Sequence, residues 1–272
     1  MLAAAVKSGD AKKVAELIRQ DPGFDVNITL KGSKWTLLHH ACIGDRRSAL
    51  IPLLLAHPDI DVNVKTKYGG TPFYYACWNG YTSCVCEMLK DSRVKVNEPD
   101  NGGSTPLYFA AFYGYLDVIK WWIASGREMD LGTPGDAVTD AIGRAKKFDE
   151  TEVATLLERF KSDAAQTKHA MRVEIGWYDN LAAEMFALVV FVSDGLLQVN
   201  DTATPSPAAR YLKIARRLPL ELQMLLCFRQ VGSAREIIPS KVSEGAFKEL
   251  AETLVILNIQ LLYLCSLCVI SC

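Results

Sequence analysis

At 272 residues, half of them hydrophobic and 22% charged, the chain has apolar material for one large domain or two ordinary ones, which excludes a disordered polymer. Its formal charge is −1, and its Lys and Arg residues never cluster beyond pairs such as Lys12-Lys13 or Arg216-Arg217. No concentrated basic footprint exists for a phosphate backbone, so no nucleic-acid partner is expected.

The amino terminus, Met1 to Lys7, has no apolar run of signal-peptide length, so nothing there is expected to direct export. Eight cysteines in a chain this hydrophobic fit a reduced, cytoplasmic protein better than a disulfide framework. Cys42 and Cys77 fall on inner helix positions, where a free thiol packs as a small hydrophobe.

From residue 36 a phrase recurs: Thr36-Leu37-Leu38-His39, Thr71-Pro72-Phe73-Tyr74, Thr105-Pro106-Leu107-Tyr108, and a weaker Thr139-Asp140-Ala141-Ile142, at steps of 35, 34 and 34 residues. A period of that size marks stacked units that cannot bury their own apolar faces alone. Each unit reads as a turn, a short first helix, a tight turn, a second helix and a loop. Threonine caps the first helix, and proline at its first position loses no hydrogen bond. The alanines that follow (Ala41, Ala76, Ala110 and Ala111) allow close approach. Gly44, Gly80 and Gly114 are expected to end these helices in left-handed geometry. Ala5, Gly9 and Asp10 hold the matching places ahead of the first complete unit, so the array begins with a partial repeat. Second helices are expected around 14–18, 50–55, 85–89, 118–123 and 153–157. Val26-Asn27, Val62-Asn63 and Val96-Asn97 close the units, the asparagine satisfying backbone groups in a tight turn.

The run Gly103-Ser104-Thr105-Pro106-Leu107-Tyr108-Phe109-Ala110, the later glycine, the paired apolar residues (Leu54-Leu55, Met88-Leu89, Leu156-Leu157) and the Val-Asn close resemble ankyrin repeats. The resemblance covers 1–163, about five repeats with degenerate ends. It implies an all-α repeat solenoid whose fingers and first helices line a concave surface that binds other proteins. It also implies that the histidine kept here only as His39 joins adjacent units, with Tyr74 and Tyr108 in its place in the next two.

Aromatics crowd the central repeats. Tyr75, Trp78, Asn79, Phe109, Phe112 and Tyr113 occupy the variable first-helix positions that the resemblance places toward the groove. Such side chains commonly anchor interfaces. They are expected to contact a protein partner whose identity the sequence does not give, the alternative being that they cover neighbouring repeats as core. His39-His40 and Cys84-x-Cys86 lack the spacing of a metal site, and no nucleophile–base or phosphate-cradling motif occurs. No catalytic residue, cofactor or metal is expected, and Glu174, Asp179, Glu184 and Asp194 show no catalytic spacing.

Beyond the array, 164–272 reads as a mainly helical accessory domain. The apolar run 181–192 is too short for a routine membrane span and is expected as a buried helix. A Pro-containing loop over 202–207 and a helix over 208–217 follow. Leu218-Pro219-Leu220-Glu221-Leu222, followed by Leu225-Leu226, resembles the opening of an F-box over 218–226. That resemblance implies that Leu218, Pro219, Glu221 and Leu222 dock on the Skp1 adaptor of a ubiquitin ligase. A proline at any helix start is the plain alternative. Residues 253–272 carry no charge. A buried terminal helix is the expected state of that segment, and a tail anchor in an intracellular membrane is the alternative.

Overall fold

The repeat threonines start helices. Thr36, Thr71 and Thr105 hold extended backbone, and each side-chain oxygen accepts an N–H from three residues on, donated by His39, Tyr74 and Tyr108. That satisfies one of the donors a helix start leaves free. Pro72 and Pro106 then occupy the first helical turn.

The computed structural model describes residues 5–6, 8–21, 25–30, 34–194, 207–215, 217–231, 242–247 and 250. Along the chain come α1 (Ala11–Gln20), the antiparallel pair β1 (Thr29–Leu30) and β2 (Trp35–Thr36), α2 (Leu37–Ala41), a 3-10 turn at Asp45–Arg47 and α3 (Leu50–Leu55). Then follow α4 (Pro72–Asn79), α5 (Thr82–Lys90), α6 (Pro106–Phe112), α7 (Leu116–Ser125), α8 (Ala141–Lys147) and α9 (Thr151–Ser162). The remaining helices are α10 (Ala164–Glu174), α11 (Trp177–Ser193), α12 (Pro207–Ala215) and α13 (Leu220–Gln230). The chain divides into two compact units, Met1–Met171 and Arg172–Cys272.

In the first unit the helices form two rows. α2, α4, α6 and α8 pack side by side, and α1, α3, α5, α7 and α9 form the second row, each repeat joining one helix of each row. Between the rows lie Leu37, Leu38, Phe73, Cys77, Leu107 and Ala111 from one side, and Leu50, Leu54, Val85, Met88, Val118, Trp122, Val153 and Leu157 from the other. Burying one such leucine or phenylalanine contributes roughly 1.5–3 kcal/mol. A unit alone would leave this face wet, so stacking is what stabilises it.

Two details differ from expectation. In the fourth repeat the cap is Asp140, not Thr139: the Asp140 carboxylate accepts the Gly143 N–H at 2.8 Å. Gly44 is extended (φ 179°) because α2 already ends at Cys42 and Gly44 introduces the 3-10 turn. Gly80 ends α4 in left-handed geometry as expected (φ 72°), and Gly126 closes α7 in the same way (φ 75°).

The closing asparagines do more than fold their own turns. The Asn27 amide donates to the Asp59 carbonyl at 2.7 Å and accepts the Asp61 N–H at 2.8 Å. Asn63 does the same with the Arg93 carbonyl (2.9 Å) and Lys95 N–H (2.8 Å), and Asn97 with the Glu128 carbonyl (3.4 Å) and Asp130 N–H (3.1 Å). Each side chain thus pairs with the backbone of the next repeat as a strand would, fixing the spacing between units. Asn63→Ala is expected to lower the stability of the array by about 2 kcal/mol. Asn97→Ala should cost less because its bonds are longer. Equal urea midpoints for Asn63→Ala and the parent chain would remove this role.

In the second unit α11 packs on α12 and α13. Ala182, Ala183, Met185, Phe186, Val189, Ala215, Cys227 and Phe228 form its core, with Tyr211, Met224 and Phe247 against it. Glu184, the charge within the apolar run, faces outward. No single helix among the described residues is long and apolar enough to cross a membrane. Residues 253–272 lie outside the described residues, and with them both readings of that segment.

Candidate functional site: an aromatic face on the first helices

Helical spacing sets this face. Tyr75, Trp78 and Asn79 lie three and four residues apart on α4, one side of a helix, and Phe109, Phe112 and Tyr113 repeat the arrangement from α6. Because α4 and α6 pack side by side, the two sets meet. Trp78 stacks on Phe109 (ring centroids 5.1 Å, planes 24° apart), and Phe109 continues to Tyr113 (6.4 Å, 22°). On the other flank Tyr75 stacks on Trp78 (5.8 Å, 16°) and meets Trp35 of β2 at 4.6 Å. At the far end Phe112 lies 4.5 Å from Tyr113 and 4.5 Å from Phe148, just past α8. A continuous row of rings therefore crosses the central repeats from Trp35 to Phe148.

The members of the row differ in access. Trp78 (36%) and Tyr113 (44%) are exposed, as are Asn79 and Phe148, while Phe109 and Phe112 are half-buried. Tyr75 does not offer its ring as expected: it is 5% exposed, and its hydroxyl lies 2.9 Å from that of the buried Thr66. Its place is beneath Trp78, fixing the indole. Asn79 turns its amide back to the Tyr75 carbonyl at 2.8 Å. The Trp78 indole N–H donates to the Tyr113 hydroxyl at 3.4 Å, tying neighbouring repeats together on the exposed side.

Sequence reasoning missed Trp35 and Phe148. Trp35 stands one residue before a repeat threonine, where the finger returns to the helix. Phe148 is out of step with the aromatics of the earlier repeats. Neither position carries a periodic signal.

Beneath the face, adjacent units are joined by polar links. Nδ1 of His39 accepts the Thr36 N–H at 3.2 Å, which leaves Nε2 to donate to the Gly70 carbonyl of the next repeat at 3.3 Å. Burial pulls the imidazole down to about 4, against a partial offset from the Gly70 bond. Tyr74 makes the equivalent link differently: its hydroxyl donates to Asp100 at 2.7 Å. The other Asp100 oxygen accepts the Gly102 and Ser104 N–H groups, so the longer side chain reaches a carboxylate in the next finger instead of a backbone carbonyl. Burial and that carboxylate push the Tyr74 phenol well above its ordinary range. Tyr108 takes neither route and lies under the Arg144 guanidinium at 5.0 Å.

Cys42, Cys77 and Cys84 are buried free thiols, and burial pushes the Cys84 and Cys86 thiols up to about 12. Such thiols pack and do not react at neutral pH. Among the described residues no group of three or more His, Cys, Asp or Glu is placed to hold a metal ion. The face can present flat apolar area and the Tyr113 phenol, which suits contact with another macromolecule.

The F-box-like segment sits at the start of α13. Pro219 precedes the helix, Leu218 is half-buried, and Leu220 (54%) and Leu222 (48%) are exposed. The side chain of Glu221 lies outside the described residues.

Residues 1–100 and 47–133 match the family model for ankyrin repeats, in three copies. A shorter stretch of 61 residues is 51% identical to SMC5-SMC6 complex localization factor protein 1 of Bos taurus and of Homo sapiens, and 48% identical to that of Mus musculus. It covers 22% of this chain and 6% of each relative, so the likeness concerns a small part of much longer proteins. Threonine caps, two rows of helices, asparagine cross-links and the family match agree: the first half of the chain is an ankyrin-repeat array.

Proposed function

We propose that the chain is a non-enzymatic adaptor that captures a protein partner on the aromatic face of its first helices. The observation that carries this reading is the row of rings from Trp35 to Phe148, stacked across successive repeats, with Trp78 and Tyr113 exposed at its middle. Large rings held in place by neighbours lose little freedom on binding, so they convert buried area into affinity efficiently. The relatives carry a name that places them in the localisation of a protein complex, which suits an adaptor. Free buried thiols suit a reducing compartment.

Alanine at Trp78 or Tyr113 is expected to weaken partner binding by about 2 kcal/mol each, with the far-ultraviolet circular dichroism unchanged. Capture from native-cell extract by the full chain and by the double variant, each compared quantitatively, tests this. The same proteins recovered in the same amounts by both would sink the reading. Loss of helical signal in the variant would instead return these rings to the core.

A second reading is favoured by the exposed Leu220 and Leu222 after Pro219: an adaptor of a ubiquitin ligase that docks through 218–226. Purified Skp1-type adaptor should then bind the full chain and lose it when Leu218 and Pro219 are both changed to alanine. No binding by the folded parent chain excludes it.

A further inference from the structure

The row of rings ends on a cation. The Arg144 guanidinium of α8 lies 5.0 Å from the centre of the Tyr108 ring, 4.5 Å from Phe112 and 4.6 Å from Phe148. Three aromatic faces hold it, yet among the described residues no carboxylate pairs with it, and its buried Nε has no acceptor. Two acids of the same repeat are committed elsewhere. Asp140 accepts the Gly143 and Gly135 N–H groups, and Glu158 pairs with Lys146. Lys147 beside it is exposed. Rings orient a guanidinium and shield it from water without neutralising it, so its fork of N–H donors stays available in a partly desolvated place.

Building on the proposed partner-binding role of this face, we infer that Arg144 receives a carboxylate of the partner, and that the partner segment is a peptide with an aspartate or glutamate close to a large apolar side chain. Carboxylate oxygens match the guanidinium fork and gain most where water is scarce. A basic segment would be repelled at the same place. The spacing follows from the rings: Tyr113 to Phe112 and Phe112 to Arg144 are successive steps of 4.5 Å. An extended chain covers that span in about three residues. The apolar side chain would rest on Tyr113 and Trp78, and the acid would follow or precede it within that distance.

The probe is a phage-displayed library of random twelve-residue peptides, selected on the immobilised full chain. Peptides with Asp or Glu within about three residues of an aromatic or large aliphatic residue should be enriched. A selected peptide made with Gln in place of its Glu should bind about tenfold more weakly. On Arg144→Gln the two peptides should bind alike, and Arg144→Lys should keep part of the difference because it keeps the charge and loses the fork. Should Arg144→Gln not fold, the comparison on Arg144→Lys decides. Peptides that need Trp78 and Tyr113 but show no acidic preference, or a preference that survives Arg144→Gln, overturn this inference and leave the aromatic face standing. Peptides indifferent to Trp78→Ala and Tyr113→Ala, or no enrichment at all, overturn the face and this inference with it.

Discussion

Gly69→Ala is expected to lower the stability of the repeat array by about 3 kcal/mol, whereas Gly135→Ala should cost only about 1. Both glycines are fingertip residues in left-handed backbone, with φ of 88° and 83°. A side chain there carries the same conformational penalty at either place. What separates them is the neighbour. A Cβ on Gly69 would press into the backbone nitrogen and side chain of Asn101, while one on Gly135 would meet nothing within 4 Å. Asn101 is the residue that binds the fingers together: its N–H donates to the Tyr68 carbonyl at 3.0 Å and its amide to the Lys67 carbonyl at 3.0 Å. The added methyl must therefore break that junction or strain it. Urea midpoints of the two full-length variants measure the difference. Equal losses would mean that the fingers do not depend on this close approach.

Much of the array was legible because the same physical demand recurs every 34 or 35 residues. A helix start needs an acceptor and a helix end favours glycine, and both leave letters in the sequence. Legibility dropped where one demand can be met in two ways. At the fourth repeat an aspartate one position later caps the helix as well as threonine does, so the echo at Thr139 pointed one residue early. At Asn27, Asn63 and Asn97 the residue type suggested a local turn, and only the packed repeats reveal its carbonyl and N–H partners some thirty residues away.

The candidate site was legible as a composition and not as a surface. Periodicity put Tyr75 and Trp78 on one side of α4. It could not tell that the Thr66 hydroxyl would hold Tyr75 inside while Trp78 emerged, because that choice depends on the finger above. Arg144 was silent altogether. A lone arginine on a degenerate repeat gains its meaning from three rings contributed by α6 and the end of α8.

His39 makes the array sensitive to acid. In the folded chain burial holds its imidazole at about 4, below the ordinary 6.5, and the neighbouring His40 adds to that shift. The neutral ring is required by its contacts as well as by burial. Nδ1 accepts the Thr36 N–H and so must be unprotonated, while Nε2–H serves the Gly70 carbonyl. Between about pH 6.5 and about pH 4 the unfolded chain therefore binds a proton that the folded chain refuses, so stability falls as pH falls through that window. The stabilisation is fully present above the unfolded value and is lost progressively below it, amounting to roughly 3 kcal/mol over the whole window. Trp35 and Tyr75 pack against the ring at 5.6 and 5.9 Å, so a charged imidazole that left its pocket would also loosen one end of the aromatic row. Urea midpoints at about pH 7.5 and about pH 5, compared between the parent chain and His39→Gln, isolate this group from the other histidines. The parent should lose about 2 kcal/mol more than the variant on acidification. Identical pH dependence in the two would show that His39 titrates as a solvated histidine and that its pocket opens to water.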